Sequence, residues 1–362
     1  MTRSNDKITL IANEKCWMEG DAIAQLKSVA ALPGVIRAVG LPDLHPGKTP
    51  VGVALETEGI IYPHLIGNDI GCGMGLFETS CRVKKFKQDR VYTKLNDIKA
   101  LRDIPIDNPF PEESPISDLG TIGGGNHFAE FQTVEKIFNE KRFEALNANK
   151  NQLLLLVHCG SRGYGQQVFG EFREYGGYPA DSERAAAYLT AHDSALLWAH
   201  RNRLLVAKKL VDYLGYSPDV KTLIDCHHNF LEERGKRYIH RKGVVSALVG
   251  MVVIPGSRGS LTYVVSPSEN VEDTDKSAFS LSHGAGRKWI RSLCKGRLKN
   301  KYHKDAIHET RLGSKTVCHD VDLLYEEASE AYKGIEYIID ALVQHNLCSV
   351  VATLRPLLTV KV

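Results

Sequence analysis

The 362-residue sequence has no C-x-x-C pair, no low-complexity tract, no internal repeat and no apolar run long enough to span a bilayer. Each absence removes a class. Eight cysteines at irregular spacings exclude a zinc-finger pattern and give no sign of a disulfide framework. The longest apolar stretch, around Ala247 to Pro255, falls far short of the roughly 20 residues a membrane helix needs. The N-terminus, Met1-Thr2-Arg3-Ser4-Asn5-Asp6-Lys7, is polar and lacks an apolar signal core. The net charge of +3 is too small to mark a nucleic-acid binder by itself. The expectation is a reduced, soluble, cytoplasmic protein. Hydrophobic residues at 43% and charged residues at 25% are ordinary for a globular chain with a sizeable core.

Charge is distributed unevenly. Eight Lys or Arg and no acid lie between Arg287 and Lys304, and a second basic run spans Arg234 to Lys242. Such runs are usually solvated faces. The first begins inside a glycine loop that suits phosphate, which favours a polyanion partner.

Apolar, branched runs lead into glycine- and histidine-bearing loops. Leu153 to Val157 ends at His158, Thr222 to Asp225 ends at Cys226-His227-His228, and Met251 to Ile254 ends at Pro255-Gly256-Ser257-Arg258-Gly259. These read as buried strands. Lys7 to Ala12 reads as a strand and Asp21 to Ala30 as a short helix. One long helix is expected from Ser182 to Leu214, capped by Asp181 or Ser182 and closed by Gly215, with His192-Asp193 as a place to bend. Asp322 to Ala341 reads as helix and Val350 to Val362 as strand. The loops that carry chemistry are spread from Asp69 to His283. One site therefore gathers distant stretches, and the expectation is a single domain, residues 1–362, of mixed α/β (α+β) class with central sheets flanked by helices.

The loops pair metal-ligand or nucleophile side chains with residues that let backbone approach a ligand. Asp69 and Cys72 are three apart in Asn68-Asp69-Ile70-Gly71-Cys72-Gly73, so both can sit on one side of a turn and offer carboxylate and thiolate to a divalent metal. A buried Cys beside a capping Asp is the competing reading. His127 follows three glycines and Asn126, poor strand material that suits close approach to phosphate or metal. Glu130 could reach a base edge or ribose. His158 stands before Cys159-Gly160-Ser161-Arg162-Gly163, where the planar fork of Arg162 suits phosphate oxygens. Of His227 and His228, successive side chains on a strand, only one reaches a given metal, and spacing does not choose between them. His283 opens Gly284-Ala285-Gly286-Arg287 ahead of an expected helix, whose free N–H groups suit phosphate. It is either a metal ligand or a nucleophile toward phosphorus. Singly these motifs are weak; jointly their metal and phosphate readings agree.

In this order the sequence resembles the RtcB family of RNA-splicing ligases. The matching pieces are Pro42-Asp43-Leu44-His45-Pro46-Gly47-Lys48, the Asn68 to Gly73 loop, Gly125-Asn126-His127-Phe128, the His158 to Gly163 loop, His228-Asn229, Pro255-Gly256-Ser257 and His283 to Arg287. The resemblance implies two Mn2+ ions and GTP as cofactors. Asp69, Cys72 and His127 would bind the first ion. Cys72, His158 and His228 would bind the second, with the sulfur bridging. His283 would be the nucleophile that takes GMP. The GMP pocket would be lined by Asn126, His127, Phe128, Ala129, Glu130, His228, Asn229, Pro255, Gly256, Ser257, Arg258, Thr262, His283, Gly284, Ala285, Gly286 and Lys361. Arg162, Arg287 and Arg291 would bind RNA phosphates. The implied activity joins RNA 3′-phosphate or 2′,3′-cyclic phosphate ends to 5′-hydroxyl ends. Arg258 stands where the family commonly has Met, and Lys48 to Gly52 is contracted. The chain resembles the compact paralogue type, which implies repair of tRNA or rRNA, a functional link to a release-factor-like protein and room for an activating protein. The rival functions are an enzyme that processes RNA ends without joining them, a non-catalytic GTP- or RNA-binding regulator, and a phosphohydrolase unrelated to RNA.

Overall fold

The computed structural model describes residues 3–5, 7–105, 118–302 and 306–362. Two of the basic residues expected to face a polyanion, His303 and Lys304, lie outside them, as does the polar start at Met1, Thr2 and Asp6. The architecture is mixed α/β, as the strand and helix patterns require.

Among the described residues, the larger sheet has the strand order Lys221–His227, Gly73–Arg82, Gln152–Cys159, Phe128–Ile137, Cys348–Val360, Thr262–Pro267, Val252–Pro255, all antiparallel neighbours. Lys315–Val317 adds to Cys348–Val360 in parallel. The smaller sheet runs Arg3–Asn5, Ile8–Leu10, Val35–His45, Val51–Glu58, Arg237–Lys242, Asn229–Arg234.

Side-chain alternation builds the layers. Leu154 and Leu156 share a core with Val39, Leu41 and Ala54 of the smaller sheet, so the two sheets face each other there. Leu153, Leu155 and Val157 point the other way and pack with Val206 and Leu210 of the Glu183–Tyr213 helix. His158 continues the phase of Leu154 and Leu156, so it faces the space between the sheets.

The long helix is unbroken through His192-Asp193. Ser182 Oγ caps it by accepting from Ala185 N at 3.1 Å, and Gly215 closes it at φ +83°. Two helix expectations fail. The Asp322–Ala341 stretch is two helices, Val321–Glu326 and Ile335–Gln344, with Gly334 as N-cap of the second. The residues after His283 form turns; the next helix is Arg291–Leu298, so the Gly284-Ala285-Gly286 loop is not its N-terminus.

Candidate functional site

Antiparallel register gathers the loops. Gly73 opens its strand opposite Cys159 and His227, which close theirs, and Phe128 opens opposite His158. Val360 pairs with Ala129 at the same sheet end. The loops bearing Cys72, His127, His158 and His228 are therefore delivered side by side, with Lys361 next to them. His228 N donates to Cys72 O at 2.7 Å, so His228 is the one of the pair next to the cluster. His228 turns toward His158, ring centroids 5.1 Å apart, whereas His227 Nδ1 is engaged with Gly71 O and Arg203 behind the site.

His283 arrives from elsewhere. The Ser280–Ser282 strand pairs with Val244–Ser246, which sets His283 beside His228, centroids 4.7 Å apart. Asp43, near the end of the Val35–His45 strand, accepts His283 Nδ1–H at 2.7 Å and His283 N–H at 3.3 Å with one oxygen. Asp43 is fully buried. Gly286, at φ +68°, lies against Asp43 O so closely that a Cβ would overlap it.

At the cluster's centre, Cys72 Sγ lies 3.3 Å from His127 Nε2 and 3.2 Å from His158 Nε2, and His127 Nε2 is 2.9 Å from Asp69 Oδ2. The ligand atoms of Cys72, His127 and His158 all fall within 4.8 Å of one another. Gly160 leaves the room that Asp69 Oδ1 occupies; a Cβ there would collide with it. Burial raises the Cys72 thiol well above its ordinary range, and the Asp69 carboxylate adds to this. Burial would raise Asp69 too, but His127 opposite it pulls the carboxyl well down. Burial and the neighbouring rings keep His158 and His228 neutral, with lone pairs available. Neutral imidazoles, a carboxylate and a thiol that needs a cation to lose its proton form a donor set fit for divalent metal. By intrinsic affinity the set favours zinc over manganese.

Asp69, Cys72, His158, His228 and His283 line a cleft of about 820 Å³, within the usual range for small-molecule sites. Of the expected nucleotide residues, Asn126, Phe128, Glu130, His228, Asn229, Pro255, Gly256, Ser257, Arg258, His283, Gly284, Ala285, Gly286 and Lys361 line it. His127, Ala129 and Thr262 stand back from it. Ala129 is packed in the core, and Thr262 Oγ1 accepts from Gln132 Nε2 at 2.8 Å. Burial pushes the Glu130 carboxyl up to about 7, against hydrogen bonds from Thr359 and Gln132. Lys361 Nζ donates to His127 O at 2.6 Å.

The arginines fare differently. Arg258 is turned into the protein, donating to Ile307 O at 2.7 Å, Thr316 Oγ1 at 3.0 Å and Leu324 O at 3.2 Å. Arg287 is in an ion pair with Glu327 at 3.1 Å, and Arg291 bridges Glu326 and Glu327 at 3.3 and 2.7 Å. Arg162 takes the left-handed φ of +53°, a strained backbone for a non-glycine, with Nε 3.4 Å from Thr121 Oγ1. The second basic run is divided: Lys236 and Arg237 are exposed, whereas Arg241 is fully buried against Glu232, Ser280 and Phe279 O, and Lys242 lines the cleft.

A family model described as tRNA-splicing ligase RtcB matches residues 25–109 and 110–362. The chain belongs to the RtcB family. RNA-splicing ligase RtcB2 of Escherichia coli is 39% identical over 373 aligned positions, covering 99% of this chain and 96% of that protein. The tRNA-splicing ligase RtcB of Archaeoglobus fulgidus is 26% identical, with 94% and 91% covered, and that of Thermococcus kodakarensis is 27% identical, with 92% and 90% covered. The archaeal alignments run over 442 positions, more than the 362 residues here, so those RtcB proteins carry segments this chain lacks.

Reading the sequence missed four residues that lie in or against this cleft. Asp43 sits in the quoted Pro42 to Lys48 motif, but nothing local tied it to His283. Glu327 and Lys242 gave no signal beyond charge. Trp17, 57% exposed, lies on the cleft wall with Trp289 and Ile290. Among the described residues no helix is long and apolar enough to cross a membrane.

Proposed function

We propose that the protein is a cytoplasmic, GTP- and Mn2+-dependent ligase that joins RNA 3′-phosphate or 2′,3′-cyclic phosphate ends to 5′-hydroxyl ends through a GMP–histidine intermediate, in repair of tRNA or rRNA. One observation carries the reading. His283, held by Asp43 through Nδ1, lies beside His228 in the cleft lined by Cys72 and His158, which cluster with His127.

The tautomer follows from the hydrogen bond. Asp43 accepts Nδ1–H, so Nε2 keeps its lone pair. That nitrogen attacks the α-phosphorus of GTP; a P–N bond forms, the P–O bond to the β-phosphate breaks, and pyrophosphate leaves. The Asp43 carboxylate stabilises the positive charge that develops on the ring. An oxygen of the RNA 3′-phosphate then attacks the same phosphorus and the P–N bond breaks, returning His283. Finally an RNA 5′-hydroxyl attacks the activated 3′-phosphorus and GMP departs. Asp69, Cys72, His127, His158 and His228 would hold two divalent cations, whose contribution when bound is to neutralise charge on the phosphoryl oxygens. Glu130 and Lys361, side by side on the wall, suit the donor and acceptor edge of guanine. Lys288 and Arg297, on the outer wall over the Trp289 ring, suit the RNA backbone.

The test is incubation with α-labelled GTP and Mn2+. Covalent label that is absent from His283→Ala, followed by sealing of a 3′-phosphate RNA to a 5′-hydroxyl RNA, is the expected result. Label without sealing would make the protein an RNA-end processing enzyme, and no label would end the ligase reading. An activating protein or a release-factor-like partner would appear as a stimulation of sealing.

A further inference from the structure

Behind the ligand loops, the Glu183–Tyr213 helix carries the neighbouring, fully buried polar side chains Asn202 and Arg203. The Arg203 Nη1 donates to Gly71 O at 2.9 Å and to Cys159 O at 3.0 Å. Its Nη2 meets His227 Nδ1 at 3.2 Å, and its Nε donates to Asp225 at 3.0 and 3.1 Å. Asn202 Oδ1 accepts from Gly120 N at 2.6 Å and Thr121 N at 3.2 Å, while Nδ2 donates to Thr121 O at 3.0 Å and Gly160 O at 3.3 Å. Gly71 precedes Cys72, Cys159 follows His158, His227 precedes His228, and Thr121 begins the loop that ends at His127. Two neighbouring side chains thus grip the backbone or adjacent ring of all four loops that carry the candidate ligands.

Stability is a poor explanation for this arrangement. A buried ion pair such as Arg203–Asp225 gains little over apolar side chains of similar volume, because both charges must leave water. An apolar side chain cannot supply several fixed N–H donors at set angles, which is what the guanidinium fork provides. We propose that Asn202 and Arg203 are positioning residues that set the spacing of the metal ligands from behind, so that metal affinity depends on them although neither touches the cleft. The proposal rests on the metal reading of the Asp69, Cys72, His127, His158 and His228 set.

The test is manganese binding by the full-length protein, read by calorimetry and by the electron paramagnetic resonance spectrum of bound Mn2+, with melting of the metal-free protein alongside. Arg203→Lys keeps the charge and loses the fork. Asn202→Ser is the milder change. The paired Arg203→Met, Asp225→Leu variant removes the ion pair and keeps the volume. All three should bind Mn2+ roughly 10- to 100-fold more weakly, the usual cost of losing support behind metal ligands. The spectrum should lose the signature of two coupled ions, and the paired variant should melt no lower than wild type. Leu210→Ala, a cavity on the same helix away from the loops, should lower the melting point and leave Mn2+ affinity unchanged. Wild-type affinity and stoichiometry in Asn202→Ser and the paired variant would overturn the proposal alone. Equal loss of affinity in Leu210→Ala at a matched melting point would also overturn it, since general softening would then suffice. If wild-type protein binds no Mn2+, the metal reading and this inference fall together.

Discussion

Asp43→Asn and Asp43→Ala test the nucleophile directly. Asp43 Oδ2 accepts both Nδ1–H and backbone N–H of His283, so an Asn oxygen can take the same place and keep the ring's tautomer. What Asn removes is the charge opposite a ring that becomes cationic as the P–N bond forms. A hydrogen bond to a charged group contributes about 1.5–3 kcal/mol, which corresponds to roughly 10- to 150-fold in rate. Asn also places an NH2 group where Asp43 Oδ1 is buried without a partner, which adds a cost in stability rather than in rate. Ala removes acceptor and charge together. The ring is then free to turn and to carry its proton on Nε2, so its loss should be larger, about 10²–10⁴-fold. The assay is single-turnover labelling of His283 with α-labelled GTP at saturating Mn2+, with Mn2+ affinity measured in parallel. Affinity should stay within two-fold, because Asp43 touches none of the candidate ligands. Asp43→Ala labelling at a rate within three-fold of wild type, with its fold intact, would refute the argument.

The Cys72 thiol is raised well above its ordinary range by burial and by Asp69, so metal must displace its proton. Mn2+ affinity should therefore rise by about ten-fold per pH unit through neutral pH, with about one proton released per chain; calorimetry in buffers of different ionisation enthalpy measures the release, and Cys72→Ser should abolish it. Burial raises Glu130 from 4.5 to about 7, so the folded protein keeps a proton that the unfolded chain gives up. Stability is then greatest below about 4.5 and falls as pH climbs to about 7, by roughly 3 kcal/mol; Glu130→Gln should flatten that slope in melting curves. RNA affinity should depend on salt much less than eight basic residues suggest. Single-strand binding changes by a log–log slope of about −0.7 per phosphate neutralised, and four of the seven Arg287–Lys301 charges are matched by acids, so filter binding should return a slope of about −2 rather than the roughly −5.6 of eight free charges.

That last expectation shows where reading the chain alone stopped. The Arg287 to Lys304 run contains no acid, and on the sequence it resembles an open basic strip. The acids come from the next segment in space: Glu327 on Arg287, Glu326 and Glu327 on Arg291, Asp322 on Lys295, Glu330 on Lys301. Helical periodicity across residues 322–341 joined two helices because nothing in an apolar period marks Gly334 as a cap. The candidate ligand loops stood out because Cys72, His127 and His158 lie at strand ends within two residues of glycine, a local pattern that His228 lacks. The fold adds what local pattern could not: His227 is engaged with Gly71 O and Arg203 behind the site, and His228 lies beside His158.

The partners of those loops were not legible, and the reason is common to them. Asp43 reaches His283 across 240 residues and from the other sheet. Arg203 reaches Gly71 and Cys159 from a helix whose outward features are only cap, length and an apolar face. A ligand must be one of a few residue types next to permissive backbone, so it announces itself. A residue that orients a ligand can be any donor or acceptor that the fold happens to bring within 3 Å, so its identity is set by tertiary packing. Spacing therefore locates the candidate chemistry of this chain, while the groups proposed to tune it, Asp43 for His283 and Asn202 with Arg203 for the loops, become visible only once the sheets and the long helix are assembled.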